Sequence, residues 1–300
     1  MKPTTSIVLP AKNEAEGLDK LLPKLRERFP DEEIIVIDDG STDNTVEICK
    51  RNNVTAISHV YSMGNGAAIK TGTRNAKGEI LVFMDADGQH NPDDIPRLLE
   101  KIQEGFDMVV GARKTTTHAS FGRRLANAVF NGLASWMTGY PIEDLTSGFR
   151  AARTRHFKKF LYLLPNKFSY PTTSTMAFFR SGLPVGYVPI SAANRTGERK
   201  SHIRIFHDGL RFIVIIIKIG ALFSPMRFFL PISAVLFLAG IGYYGYTYIN
   251  WGRLTNMSAI LFLSSLITFL IGVVSEQISA LHYKDIQESR RRTIRDEHSE

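Results

Sequence analysis

Asp85 and Asp87 stand two apart at the close of a short apolar run, in the stretch EILVFMDADGQHNP at residues 79–92. Ile80, Leu81, Val82, Phe83 and Met84 form the run, which then breaks into carboxylates, a glycine and polar residues. That order reads as a buried parallel strand emerging at a ligand-binding edge. On a strand end, residues two apart share a face, so both carboxylates reach one hard cation. Gln89 keeps the same parity and adds a neutral oxygen. A Mg²⁺ or Mn²⁺ ion held this way retains open positions for the oxygens of a diphosphate. An ordinary polar loop uses the same residue types, so the Asp-x-Asp pair gains meaning only in company.

The company is a series of polar clusters. PAKNE follows an apolar run and offers Glu14; DDGS follows a second and offers Asp39. A carboxylate such as Asp39 accepts from a base N–H or a ribose hydroxyl; a turn or capping role is the competing reading. No Gly-x-Gly-x-x-Gly opens the first helix and no Walker loop occurs, which argues against a standard dinucleotide or P-loop site. From 115 to 201 the chain is basic, with Arg123, Arg124, Arg150, Arg153 and Arg155. LTSGFR at 145–150 follows Glu143 and Asp144, so acid, glycine turn and arginine lie close together. NRTGERKSH at 194–202 sets cations on both sides of Gly197, as in a flexible loop that closes over an anion. A solvated basic surface is the alternative.

These clusters need a scaffold. Short apolar strands are expected at 6–9, 34–37, 54–58, 80–84 and 107–110, with helices between them, the first ending near Phe29 and the fourth at 92–103. Asn13 or Asp19 is the expected cap of the first helix, and Asp43 or Ser41 of the second. Strands alternating with helices at this spacing read as an open α/β sheet, which binds ligands at the C-terminal ends of its strands. The section at 115–201 reads as less regular.

The 300 residues carry a formal charge of +8, which suits nucleic acid, anionic lipid or a phosphorylated substrate without choosing among them. A single cysteine, Cys49, rules out an intrachain disulfide and a cysteine-rich zinc site. The N-terminal apolar stretch is too short for a signal peptide. The average composition hides a split near residue 205. No charged residue lies between Arg227 and Arg253, nor between Arg253 and Glu276, so two helices at about 228–249 and 254–275 are long enough to span a bilayer. Their short link forces a hairpin. Gly240, Gly242 and Gly245 permit close helix contact, within the hairpin or in a homo-oligomer. Tyr243, Tyr244, Tyr246, Tyr248 and Trp251 cluster where an interface belongs. Residues 206–226, interrupted by Arg211 and Lys218, read as an interfacial helix. Arg290, Arg291 and Arg292 in the 277–300 tail, against one arginine in the link, place both hairpin ends and the 1–205 domain on the cytoplasmic side of an integral membrane protein.

Taken in order, these blocks resemble an inverting glycosyltransferase of family 2, in the branch of dolichyl-phosphate mannose synthase and bacterial polyprenyl-phosphate glycosyltransferases. VLPAKNE and VIDDGSTDNT resemble the nucleotide blocks, GNGAAIKTGTRNAKGE the next, FMDADGQHNPDDIP the metal block, and VVGAR, FGRRLAN, DLTSGFR and NRTGERKSH the later ones. The resemblance covers about residues 5–202. It implies a GT-A type, mostly parallel sheet domain, followed by the interfacial helix and the transmembrane hairpin. It implies donor contacts at Pro10, Ala11, Asn13, Glu14, Asp39, Asp85 and Ala86, and a Mg²⁺ or Mn²⁺ on Asp85, Asp87 and Gln89. It implies acceptor-phosphate contacts at Arg113, Arg123, Arg124, Arg195 and Ser201, with Asp87, Arg113, Asp144 and Arg195 as the catalytic set. One departure is Lys12, where many relatives carry an aromatic.

The implied partners are a nucleoside-diphosphate sugar, a polyprenyl phosphate and membrane lipids, and no nucleic acid. A phosphomonoester oxygen is already anionic near neutral pH, since its second ionisation lies near about 6. It needs cations that hold it in line behind the anomeric carbon rather than a general base. A hydroxyl acceptor on a lipid or polysaccharide is the alternative, and would require Asp144 as base.

Overall fold

The computed structural model describes residues 3–113, 121–167, 170–190 and 224–297, apart from the side chains of 121–127 and 282–297. The expected interfacial helix at 206–223 and the basic loop at 194–202 lie outside the described residues. The chain divides into two compact units, Met1–Gly132 with Pro141–Asp208, and Leu133–Tyr140 with Gly209–Glu300.

The strands of the first unit are β1 (Thr5–Ala11), β2 (Glu33–Asp38), β3 (Thr55–Ser58), β4 (Ile80–Phe83), β5 (Met108–Arg113), β6 (Arg150–Arg153) and β7 (Val185–Ile190). They form one seven-stranded sheet in the order β3-β2-β1-β4-β6-β5-β7. The helices are α1 (Ala15–Arg28), α2 (Thr45–Arg51), α3 (Asn65–Asn75), α4 (Ile95–Gln103), α5 (Phe121–Thr138, which from Leu133 on belongs to the second unit), α6 (Thr154–Phe157) and α7 (Tyr170–Arg180). All pairings are parallel except those of β6, which runs antiparallel to β4 and β5. Ile7, Val8, Leu9, Val36, Ile37, Leu81, Val82 and Phe83 are all fully buried. These strands are covered on both faces, so they read as unbroken apolar runs. In α4 the buried Ile95, Leu98, Leu99 and Ile102 follow helical spacing and seat the helix on the core. Truncating Leu98 to Ala there would cost about 2–5 kcal/mol.

Two features of this topology build the site. β1 has β2 on one side and β4 on the other, so strand order reverses between β1 and β4, and a crevice opens at their C-terminal ends. β6, being antiparallel, starts at that same edge, and so delivers the acid-glycine stretch before it to the ends of β4 and β5.

Several expectations need correction. The described part of the section at 115–201 carries regular elements, with α5, β6, α6, α7 and β7 in it. β6 is only Arg-Ala-Ala-Arg, and β7 contains Gly186 and Pro189, so neither offers the apolar run by which strands are read. Neither Asn13 nor Asp19 caps α1. Ala15 N–H donates to Asp43 Oδ2 at 3.1 Å, while Asp43 Oδ1 accepts from Thr45 N at 3.1 Å. One carboxylate thus serves the starts of α1 and α2 together. Ser41 leaves α2 alone and accepts from Asn13 N at 2.8 Å.

In the second unit, helices Pro225–Trp251 and Asn256–Glu297 form a hairpin around Gly252, whose φ of 64° suits a glycine. Pro225–Trp251 and Asn256–Leu281 are each long and apolar enough to cross a membrane. Ser233 Oγ donates to Ser265 O at 3.0 Å and Ser265 Oγ to Ser233 O at 2.9 Å, a reciprocal clasp across the two helices. Of the three glycines in the first helix, Gly240 packs on the Phe262 ring, where a Cβ would come within 2.9 Å; Gly242 and Gly245 face open space. Val235, Leu238, Leu263 and Val274 are exposed, which suits a lipid solvent. The second helix continues without a break beyond the span into the basic tail.

Candidate active site

A cleft of about 460 Å³ lies at the switch point. Its walls include Pro10 and Ala11 at the end of β1 and Glu14 beyond it, Asp39 after β2, and Asp85, Ala86 and Asp87 after β4. Register explains the meeting. Ala11 pairs with Asp38, so β1 and β2 end level, whereas Phe83, the last residue of β4, pairs with Val8, and the turn after β4 carries Asp85 and Asp87 on toward those ends.

Asp85 and Asp87 reach the cleft by a different route from the expected pleat. β4 ends at Phe83, and the chain then turns, with Gly88 at φ 73°. Gln89 N–H donates to Asp87 Oδ1 at 3.1 Å, fixing a buried carboxylate toward the cleft. Asp85 is only partly buried, with His90 Nε2 at 3.6 Å from Oδ2; the His90 ring stacks on Phe149 at 5.0 Å. Gly148 comes so close to Asp85 that a Cβ would sit 2.8 Å from Oδ2. Gln89 itself is not among the residues lining the cleft. Among the described residues no three of His, Cys, Asp and Glu gather as a metal cluster. The two carboxylates still fit a hard cation that completes its shell from phosphate oxygens and water, the usual habit of Mg²⁺.

Asp39 is buried and saturated. His59 Nδ1 and Met63 N donate to Oδ1, and Ser62 Oγ and Gly64 N to Oδ2, each at 2.8 Å. Burial pushes its carboxyl up, but these four donors hold it below the ordinary aspartate range. With its lone pairs so engaged, Asp39 shapes the 62–64 wall of the cleft. Asn13 does not line the cleft. At φ 53° it accepts from Thr42 N through Oδ1 at 2.8 Å and ties the two loops together.

Arg113 ends β5 and grips Asp144 through Nε–Oδ2 at 2.8 Å and Nη2–Oδ1 at 3.0 Å. Asp144 also accepts from Thr146 N at 3.0 Å and Ser147 N at 3.1 Å. Burial raises its carboxyl, and the Arg113 guanidinium with the backbone donors more than offsets that, leaving it below the ordinary range. Arg150, grouped with the basic surface by sequence, is fully buried; its Nη1 donates to Pro171 O at 2.9 Å and Ser174 Oγ at 2.8 Å. Burial pushes its pKa down. It braces the start of β6 and is not among the residues lining the cleft. Arg123 and Arg124 lie in the first turn of α5, with side chains outside the described residues. Arg195 and Ser201 are also outside them.

Sequence reasoning missed Lys12, Ser62, Gly64, Asn65 and Ala68 in the cleft wall. Lys12 Nζ donates to Ser62 Oγ at 2.8 Å. The GNG at 64–66 was the available signal, since glycines before a helix often let a backbone approach a ligand.

The family model described as glycosyl transferase family 2 matches residues 6–176, and that of the GtrB C-terminal hairpin matches 224–281. An uncharacterized protein of Methanocaldococcus jannaschii is 32% identical over 193 residues, 61% of this chain and 79% of the relative. The undecaprenyl-phosphate 4-deoxy-4-formamido-L-arabinose transferase of Proteus mirabilis is 34% identical over 161 residues, 50% of this chain and 49% of its own. The chain thus spans about half the length of the curated transferases of that name. Among solved structures, glucosyl-3-phosphoglycerate synthase of Mycobacterium tuberculosis superposes with a TM-score of 0.60 at 20% identity, over 73% of this chain and 80% of that one. At that identity the likeness carries the fold, a GT-A-like sheet.

Proposed function

The chain belongs to glycosyl transferase family 2, and from that premise we propose that it moves a sugar from a nucleoside-diphosphate sugar to the phosphate of a polyprenyl phosphate, with inversion. The observation that carries the reading is that Asp85 and Asp87 line the strand-end cleft, while Gly148, in the stretch between Asp144 and β6, packs against Asp85 and Arg113 at the end of β5 holds Asp144. The name of the Proteus relative points to an undecaprenyl-phosphate acceptor, and the hairpin match supplies the membrane setting such a lipid needs. Mycobacterium tuberculosis glucosyl-3-phosphoglycerate synthase has been solved in complex with Mn²⁺ and UDP or UDP-glucose, which supports a divalent ion and a uridine or related donor.

Asp85 and Asp87 are the residues that would hold the ion, which when bound neutralises charge on the departing diphosphate. The walls from β1 and β2 hold the nucleoside, with Asp39 fixing the 62–64 loop against it. Lys12 lends a cation at the same wall. Arg113, oriented by Asp144, holds the acceptor phosphate, joined by Arg123 or Arg124 and by Arg195 and Ser201. A guanidinium fork suits that phosphate better than an ammonium. The phosphate oxygen then attacks the anomeric carbon in line, and no side chain need take a proton. A hydroxyl acceptor would require Asp144 as base. Its lowered pKa and engaged oxygens make it a poor one. The catalytic unit and the tail lie on the cytoplasmic face.

The test incubates purified full chain in detergent with labelled nucleotide sugars, Mg²⁺ or Mn²⁺, and undecaprenyl or dolichyl phosphate. Label should enter the organic phase as an acid-labile, alkali-stable lipid-linked monosaccharide. Comparable product from the free polyprenol would replace this reading with the hydroxyl-acceptor one.

A further inference from the structure

Two cavities meet beyond the end of β4. The large cleft and a second pocket of about 170 Å³ share Asn65 and Asp85 in their walls. The second pocket is completed by Thr146, Gly148, Lys167, Tyr170, Pro171 and Thr172. If Asp85 holds the ion on the diphosphate, the next space along the donor is this pocket, and the next part of the donor is its sugar.

We propose that the 170 Å³ pocket seats the donor sugar and that Asn65 reads that sugar at its join with the diphosphate. The inference rests on the nucleotide-sugar reading above and deepens it. The pocket is sized for one monosaccharide. A carboxamide, an ammonium and two threonine hydroxyls set against Tyr170 and Pro171 form a lining for a hydroxylated ring rather than a hydrocarbon tail. Thr146 connects the pocket to the acceptor side, because its Oγ1 accepts from Arg113 Nη2 at 2.7 Å. A sugar seated here has its anomeric carbon between the carboxylate that serves the leaving group and the arginine that serves the nucleophile.

Asn65 is fixed in place by backbone. Gly66 N donates to Lys167 O at 3.1 Å and Ala67 N to Asn166 O at 2.8 Å. Lys70 Nζ adds a bond to Leu164 O at 3.1 Å. A Cβ on Gly66 would lie 1.9 Å from Pro165 O, so only glycine permits the approach. The start of α3 is thereby clamped to the 164–167 segment, which holds Asn65 and Lys167 on one wall. Those carbonyls also take amides that a helix start would otherwise offer to a phosphate. Recognition at this wall therefore falls to the side chains.

The test compares nucleoside diphosphates with nucleotide sugars on the full chain in detergent with Mn²⁺. Calorimetry would use UDP and GDP against UDP-glucose, UDP-N-acetylglucosamine and GDP-mannose. Asn65→Ala keeps a strong helix former at the start of α3. It should weaken the accepted nucleotide sugar by about three- to tenfold, the value of one lost hydrogen bond. It should leave the matching nucleoside diphosphate within about twofold and alter the ranking of kcat/KM across the sugars. Lys167→Ala, at an exposed position, should shift the same ranking. Equal weakening of diphosphate and nucleotide sugar would overturn the proposal, as would an effect confined to the KM of polyprenyl phosphate. Wild-type protein that binds none of these nucleotides would instead refute the donor reading itself.

Discussion

Arg113 and Asp144 form a two-pronged ion pair that ties the end of β5 to the loop entering β6, with N–O distances of 2.8 and 3.0 Å. The same carboxylate accepts from the Arg113 backbone N–H at 3.3 Å. Two parallel bonds fix the plane of a guanidinium as well as its position. The pair also holds Asp144 in its charged form, so the carboxylate orients a cation and is a weak proton acceptor.

Asp144→Asn should therefore act through Arg113. Losing charge-assisted bonds of this kind costs about 1.5–3 kcal/mol, or about 10- to 100-fold in kcat/KM. The loss should appear mainly in the KM for polyprenyl phosphate, and the pH–rate profile should keep its shape. Arg113→Lys should not restore the two-pronged geometry. A loss confined to kcat, with the acid-side limb of the pH–rate profile gone, would return Asp144 to the role of base.

Asp87→Asn should be more severe. The carboxylate is buried, held by Gln89 N, and one of only two described carboxylates from the end of β4 that line the cleft. Transfer should fall by about 100- to 1,000-fold, on the scale of a lost electrostatic catalytic group. Circular dichroism should be unchanged, and Mn²⁺ should bind more weakly in the presence of nucleoside diphosphate. EDTA should abolish wild-type transfer and added Mg²⁺ or Mn²⁺ restore it. Full transfer in EDTA would remove the metal from the mechanism.

Gly148→Ala tests the support of Asp85. The new methyl would lie 2.8 Å from Oδ2 and push the carboxylate aside. Displacing a ligand through its neighbour typically costs about 10- to 100-fold in metal affinity or activity. The thermal midpoint should change little, since the methyl presses on a cleft side chain. Wild-type Mn²⁺ affinity in this variant would show that Asp85 relocates freely or does not bind.

The parts of this fold that were legible from residues alone are those buried on both faces. The runs at Ile34, Ile35, Val36 and Ile37 and at Ile80 through Phe83 permit no other placement, and polar clusters after them mark the binding edge. The carboxylates were found by this logic, although a turn rather than the strand pleat aims Asp87. β6 escaped because two of its four residues are arginines, and the burial of Arg150 depends on oxygens of Pro171 and Ser174 in α7, 21 and 24 positions along the chain. Asn65 escaped because its meaning lies in the 164–167 segment it packs beside. A residue whose role is set by a neighbour about a hundred positions away leaves no periodic signal.

Acid should unfold the catalytic unit through Asp39 and Asp144. Both have folded pKa values below the ordinary 3.8. The unfolded chain therefore binds protons first as pH falls. Their stabilisation is complete above about pH 4 and is lost progressively as pH drops through the depressed folded values. Thermal melts of the full chain in detergent from pH 6 to 2.5 should show that decline. Asp144→Asn should lower the plateau and flatten part of the acid limb. An unchanged acid limb in that variant would show that its pairing with Arg113 contributes nothing to folding.

The sidedness of the hairpin is the last prediction. Arg227 flanks one end of the first span, and Arg290, Arg291 and Arg292 follow the second, whereas the link carries Arg253 alone. Basic flanks stay in the cytoplasm, which puts the link outside and the catalytic unit inside. Cysteine labelling can read this without removing the native thiol. Cys49 is buried, and burial pushes its thiol up to about 11, so it is almost wholly protonated at neutral pH and inert to maleimide. Leu254→Cys is exposed in the link and Lys24→Cys is exposed on α1. An impermeant maleimide added to intact cells should label Leu254→Cys at once and Lys24→Cys only after permeabilisation. The reverse pattern would place the cleft outside the cell, away from the nucleotide sugars of the cytoplasm.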